Sequence, residues 1–471
     1  MTPRARALLL ATLLVGLVPL WQAFLAEPVK TRWFRGRPRQ PTVLLVVLDT
    51  VRADHLGACG APPGLTPVLD GLRARGAALA CDGVAPGSWT LPSHASLFTG
   101  RDVPDHGADY GGAGEVRQLA ITPLPGSAET LARTMAGRGY QVRGVSANPV
   151  LAPATGLVAG FDGWEVAPEF GAFADARVEA PLRRALRSLR PDGGPLFLFV
   201  NLAEAHDPWP AISAGDGMFP ATPGLAYLET DRATGALRPD GPWQRFIGGR
   251  LSAAERDALL RQVRVLYARG VQRADASLGR VLAAVDAHGW ADAGLRLVVV
   301  SDHGEFLGEH GLLRHGRYVW EANVRVPVLV WEQGPGGAAR AVPALPARPS
   351  VRDAGAVVRG EPWPARAAPT ASVAYPDPTY YRWTDGRVGG STSAAIWWSD
   401  REKLLWMDGA ASVVDPLADP LERSGQPLPE SHPGAPALAA LVARVSARRV
   451  GPAAPDPGVI EALQAAGYIA P

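Results

Sequence analysis

Thr42-Val43-Leu44-Leu45-Val46-Val47-Leu48, followed at once by Asp49, decides the fold. A continuous apolar run rich in Val and Leu reads as a strand buried on both faces of a parallel sheet. Its acidic successor then falls in the crevice beyond the carboxyl ends of the strands, where open α/β sheets hold their ligands, although an Asp there also simply starts turns. Leu295–Ser301 (LRLVVVS) repeats the pattern and delivers Asp302, His303, Gly304 and Glu305 to the same edge. Between these runs, Thr66-Pro67 opens a helix ending near Gly76, and Ser252-Ala253-Ala254-Glu255 is a capping box for a long helix toward Gly289. Strands alternating with helices predict the α/β class: a large, mostly parallel sheet flanked by helices, with a smaller C-terminal α+β unit.

The second informative stretch is Gly87–Gly100, GSWTLPSHASLFTG. Pro92 and Ser93 suit the first turn of a helix and Gly100 its end. That places the hydroxyl of Thr90 where unpaired N–H groups and the positive dipole end favour an anion. A Thr near a helix start is most often only a cap. Two strand-end acids, one imidazole and this hydroxyl nevertheless make a ligand set for one divalent cation: Asp49, Thr90, Asp302 and His303, three oxygens and one nitrogen. Manganese, calcium, magnesium and zinc all remain open. A cation there would lower the hydroxyl's pKa and make Thr90 a nucleophile.

The runs VLLVVLDTVRADHLGACG, TPVLDGLRARG, SWTLPSHASLFTGR, SDHGEFLGEHG and VRVPVLV resemble the sulfatase branch of the alkaline phosphatase superfamily. The likeness extends through Ser146–Asp162, Asn201–Trp209, Arg273–Gly289, Arg401–Glu422 and Glu461–Ile469, in the family's order and over most of the chain. It implies an ester hydrolase or transferase. It also implies that His206 contacts the transferred group or leaving oxygen, and that His315 falls near the position where relatives place a Lys or His beside the leaving group. Both are read as positive partners and candidate general acids.

The departures are informative. Family sulfatases carry a Cys or Ser, oxidised to formylglycine, at the position of Thr90, and an Arg at that of His94. Thr cannot become formylglycine, so Thr90 must attack as its own alkoxide, with His94 orienting it. Thr50 stands for a second acidic ligand of many sulfatases, and His303 for an Asn. Leu202 replaces an Asp four residues before His206, which leaves one metal rather than two. The first reading is therefore a metal-dependent hydrolase or phosphotransferase of phosphate esters. A sulfuric ester hydrolase and a non-catalytic binding protein of the same fold are the alternatives.

The 471 residues have a net charge of +2. With no basic face, nothing points to nucleic acid. Residues 7–26 are apolar and long enough to span a bilayer, and no clean cleavage site precedes Glu27. They read as a signal anchor or a signal peptide, the uncleaved anchor being favoured, with a basic linker to residue 40 and a catalytic domain exported to a periplasmic or extracellular space. The basic run from Lys30 to Arg39 argues for the opposite side under the positive-inside rule. The catalytic domain is placed at 41–331, a Pro/Gly/Ala-rich linker at 332–375, and a small C-terminal unit at 376–471 with a helix from Pro436 to Arg449. Cys59 and Cys81 allow one disulfide. Oligomeric state is left open.

Overall fold

All side chains of β1 (Thr42–Leu48) are buried, as expected for a strand covered on both faces. The computed structural model describes residues 40–111, 120–167, 179–225, 241–364, 369–375, 392–407 and 409–447. The main sheet has eight strands: β1, β2 (Ala78–Val84), β3 (Gln141–Ser146), β4 (Gly163–Val166), β5 (Leu196–Leu202), β6 (Leu295–Val300), β7 (Arg325–Gln333) and β8 (Ala339–Arg340). Their order is β8-β7-β6-β1-β5-β3-β4, with β2 also paired to β7. The strands from β6 to β4 run parallel, and β7 is antiparallel to β6, β2 and β8.

Successive side chains of a strand point to opposite faces, and here each face has its own core. Val43, Leu45, Val47, Phe197, Phe199, Val298 and Val300 pack with Leu91, Ala95, Leu97 and Phe98 of α2 (Thr90–Thr99). Leu44, Val46, Leu48, Leu198, Val200, Leu297 and Val299 pack with α1 (Pro67–Ala74) and α3 (Ala253–Ala287). The expected capping box at Ser252 forms, its hydroxyl accepting from Glu255 N–H while the Glu255 carboxylate accepts from Ser252 N–H.

The stretch 332–375, whose composition suggests a linker, holds the end of β7, all of β8, a helical turn at Ala354–Val358 and β9 (Thr370–Ala374). Val351, Ala354, Val357 and Val358 join the core beside α2. Apolar residues at helical spacing decide this locally, despite the surrounding Pro and Gly. The second sheet therefore begins before residue 376. It runs antiparallel in the order β9, β10 (Ser393–Trp397), β11 (Lys403–Met407), β12 (Ala410–Val414), β13 (Gln426–Pro427), and packs on α4 (Ala435–Ala447). Cys59 and Cys81 are disulfide-bonded. Among the described residues no helix is long and apolar enough to cross a membrane; the apolar run at 7–26 lies outside them.

Candidate active site and metal centre

Four neighbouring parallel strands, β6, β1, β5 and β3, end at one edge, and the candidate residues collect there. Asp49 follows β1, Asp302 and His303 follow β6, and Asn148 and Asn201 come from the ends of β3 and β5. Thr90 arrives from the other direction as the first residue of α2, whose N-cap is Trp89. The Trp89 side chain makes no capping hydrogen bond, and the Thr90 hydroxyl is turned to Asn148 Nδ2, from which it accepts at 3.1 Å.

Asp49, Thr90, Asp302 and His303 are all fully buried. One ligand atom each from Asp49, Asp302 and His303 lie within 4.8 Å of one another. His303 Nε2 is 3.3 Å from Asp302 Oδ2, 3.9 Å from Asp49 Oδ1 and 3.5 Å from Thr90 Oγ1. Nδ1 of the same ring is 3.0 Å from Gly304 O; donation there fixes the tautomer and turns the Nε2 lone pair toward the two acids.

Three acceptor atoms thus converge on one point. Asp49 Oδ1 and Asp302 Oδ2 are buried and accept no hydrogen bond. Burial first, and then the Asp302 charge, raise Asp49 to about 7; burial raises Asp302 to about 7 as well. Burial lowers His303. Two desolvated carboxylates and a neutral imidazole suit a divalent cation, which would satisfy all three at once.

The other halves of these carboxylates are held by the protein. Asp302 Oδ1 accepts from the N–H groups of Thr50 and His303 at 3.2 and 3.0 Å. Asp49 Oδ2 accepts from Asn148 Nδ2 at 2.7 Å and Asn201 Nδ2 at 3.1 Å. Asn148 Nδ2 also donates to Thr90 Oγ1 at 3.1 Å.

His94, expected to orient the Thr90 hydroxyl, instead places Nδ1 2.9 Å from the Thr90 backbone carbonyl and 3.5 Å from Asp302 Oδ2. Burial holds its pKa at about 3, so it supplies no positive charge. His206 and His315 lie at the same centre, with ring centroids 4.9 Å apart, and His315 is 4.4 Å from His303. The expectation that both are positive partners needs correcting: burial pushes both pKa values well below the usual imidazole range. Positive charge comes instead from the guanidiniums of Arg314 and Arg317, which further depress His315. Arg314 Nε is 3.5 Å from Asp207 Oδ2, and Glu305 Oε2 is 3.2 Å from His315 Nδ1.

A family model described as Sulfatase matches residues 41–344. The chain belongs to the sulfatase family. Mouse (Mus musculus) steryl-sulfatase is 28% identical over 415 residues, 70% of this chain and 62% of that protein. A multifunctional alkaline phosphatase superfamily protein of Trinickia caryophylli, PehA, is 33% identical over 165 residues, 32% of this chain and 31% of that one. The chain spans less than two thirds of either relative's length. Phosphonate monoester hydrolase of Agrobacterium radiobacter has the same fold, with a TM-score of 0.58 at 18% identity over 87% of this chain and 95% of that one.

Within this sulfatase-family chain, sequence reasoning brought Glu305 to the edge without a role and missed Asn148, Asn201, Asp207, Arg314 and Arg317. Asn201 had a visible signal, a polar residue interrupting the apolar run LFLFVNL at its carboxyl end. Asn148 had none beyond its place in the shared SANP segment.

Proposed function

We propose that this chain hydrolyses or transfers phosphate-type esters through Thr90, with one divalent cation held by Asp49, Thr90, Asp302 and His303. The observation that carries the reading is the Thr90 hydroxyl at a helix mouth, 3.5 Å from His303 Nε2 and beside two carboxylate oxygens without partners. A bound cation would lower the hydroxyl's pKa and neutralise charge growing on the oxygens of the transferred group. Asn148 Nδ2 donates to Thr90 Oγ1 and so favours its deprotonated form.

Attack of Oγ1 on phosphorus forms the Oγ1–P bond and breaks the bond from phosphorus to the leaving oxygen, leaving Thr90 esterified. Nδ1 of His315 faces Glu305, and Nδ1 of His206 faces Asp207 at 3.2 Å. Each ring then has Nε2 as the atom that delivers a proton to the leaving oxygen and takes one back from water. An anionic ester beside these imidazoles raises their pKa toward the range this needs. Attack of that water, or of another alcohol, on phosphorus restores Thr90.

Thr90→Ala is expected to lower turnover by roughly 10³-fold or more, and Thr90→Ser to retain part of it. Full activity in Thr90→Ala would remove the mechanism. The second reading, sulfuric ester hydrolysis, is favoured by the identity with steryl-sulfatase. Against it, a formylglycine hydrate sheds sulfate by collapsing to an aldehyde, a route closed to Thr90. Matched aryl sulfate, phosphate diester and phosphonate substrates, assayed with a metal series, decide between them. A non-catalytic role is disfavoured because all four metal-site residues are kept. We further propose that residues 7–26 anchor the chain in a membrane with this domain on the exported side, which the Cys59–Cys81 bond supports.

A further inference from the structure

Thr50, immediately after Asp49, has a φ of 60°. A β-branched residue rarely enters this left-handed region, and such strain persists only where the surroundings over-determine it. The unusual conformation has a visible result: the Thr50 N–H is directed across from the end of β1 to Asp302 Oδ1, beyond β6, at 3.2 Å.

The restraint comes from α3. The Tyr267 hydroxyl, fully buried, donates to Thr50 O at 2.7 Å and accepts from Arg52 N–H at 2.9 Å. One phenolic oxygen therefore bridges both ends of the turn. Arg52 Nη1 in turn reaches Glu305 O at 3.0 Å, tying the turn a second time to the segment after β6.

We propose that Tyr267 is a positioning residue for the metal centre: its hydroxyl holds Thr50 in the left-handed conformation, and the Thr50 amide fixes Asp302 with Oδ2 turned toward His303. The inference rests on the metal reading above. It assigns the set of the two acids to a helix that contributes no ligand, and gives the Thr that replaces an acid a backbone role.

Calorimetric titration with manganese alone tests it on the whole protein. Tyr267→Phe removes one oxygen and keeps the ring in the core. Its Kd is expected to weaken by about 10-fold or more, the scale of losing a hydrogen bond that orients a ligand. Adding Thr50→Gly, which takes φ near 60° at no steric cost, is expected to restore the Kd to within about threefold of wild type. A wild-type Kd in Tyr267→Phe, or no rescue by Thr50→Gly, overturns the proposal. Should Tyr267→Phe fail to fold, Thr50→Val and Thr50→Gly serve instead, since both lack the hydroxyl and only valine resists the conformation. Valine is expected to bind about 10-fold more weakly than glycine, and equal affinities overturn the idea. If wild type takes up neither manganese nor, in the same titration, calcium, magnesium or zinc, the metal reading itself fails.

Discussion

Asn148 makes three hydrogen bonds with one amide, and their directions fix which way it points. Oδ1 accepts from Val150 N–H at 2.8 Å, so Nδ2 must face Asp49 Oδ2 at 2.7 Å and Thr90 Oγ1 at 3.1 Å. The residue therefore links the proposed nucleophile to a proposed ligand, and both links need a donor. Asn148→Ala is expected to lower kcat/KM by about 10- to 100-fold, the range for groups that orient metal ligands. Asn148→Asp should be worse although it is nearly isosteric, because it replaces the donor by a third carboxylate beside two already desolvated ones. Equal kcat/KM values in the two variants would assign Asn148 a packing role only. Asp49, Asp302 and His303 were legible in the sequence because the strands before them are unmistakable and a strand end fixes a residue's place. Asn148 was not, because its role depends on a tight turn after β3 that no periodicity announces. The charge states of His206 and His315 were illegible too, since burial decides them and burial is a property of the assembled fold.

Among the elements, α3 does most to set the geometry around the site. It packs its apolar face on β5 and β6, supplies Tyr267, and at Gly270 passes so close to the loop after β5 that a Cβ would stand 2.4 Å from Glu204 O and 3.0 Å from Ala205 Cα. His206 follows directly. In an isolated helix Gly→Ala gains about 1 kcal/mol. Here overpacking against backbone is expected to outweigh that, at about 1–3 kcal/mol. Gly270→Ala should therefore lower both Tm and kcat/KM, whereas Gly279→Ala, which meets the side chain of Val68 at 3.1 Å, should leave kcat/KM unchanged. Similar behaviour of the two variants in thermal melts and steady-state assays would show that the loop yields freely. The helix itself was legible, cap and length alike, because Ser252 and Glu255 sit at capping-box spacing. Its close approach was not, since a glycine inside a helical pattern reads as a weak position until the neighbouring backbone is in view. The second sheet was placed too late in the chain for a related reason: composition over 332–375 signals loop, while a few apolar residues at the right spacing bury the segment.

The whole molecule gathers like charge at one edge of its main sheet, and the pH dependence of stability should reveal the cost. Asp49 and Asp302 are raised to about 7 from an ordinary carboxyl value of 3.8. An acid with a raised folded pKa binds more protons folded than unfolded. Its contribution is complete below the unfolded pKa and is lost as pH rises through the folded one. The four buried imidazoles of His94, His206, His303 and His315 are lowered and act in the opposite sense, adding stability as pH rises toward 6.5. Between about pH 4 and 6.5 the two sets oppose each other, and above about 6.5 the imidazoles add nothing further while the two carboxylates still titrate. In the presence of a chelator, Tm is therefore expected to fall from about pH 6.5 to 8. Manganese should reverse the fall, since a cation binds the deprotonated pair and competes with protons, so its stabilisation grows over the same interval. Asp302→Asn removes one of the two acids and should flatten the chelator profile relative to wild type, which separates this centre from other buried groups. Scanning calorimetry across that interval, with chelator and with manganese, is the check. A Tm in chelator that rises with pH, or a manganese shift equal at both ends, would mean that Asp49 and Asp302 are not the strained pair the geometry describes.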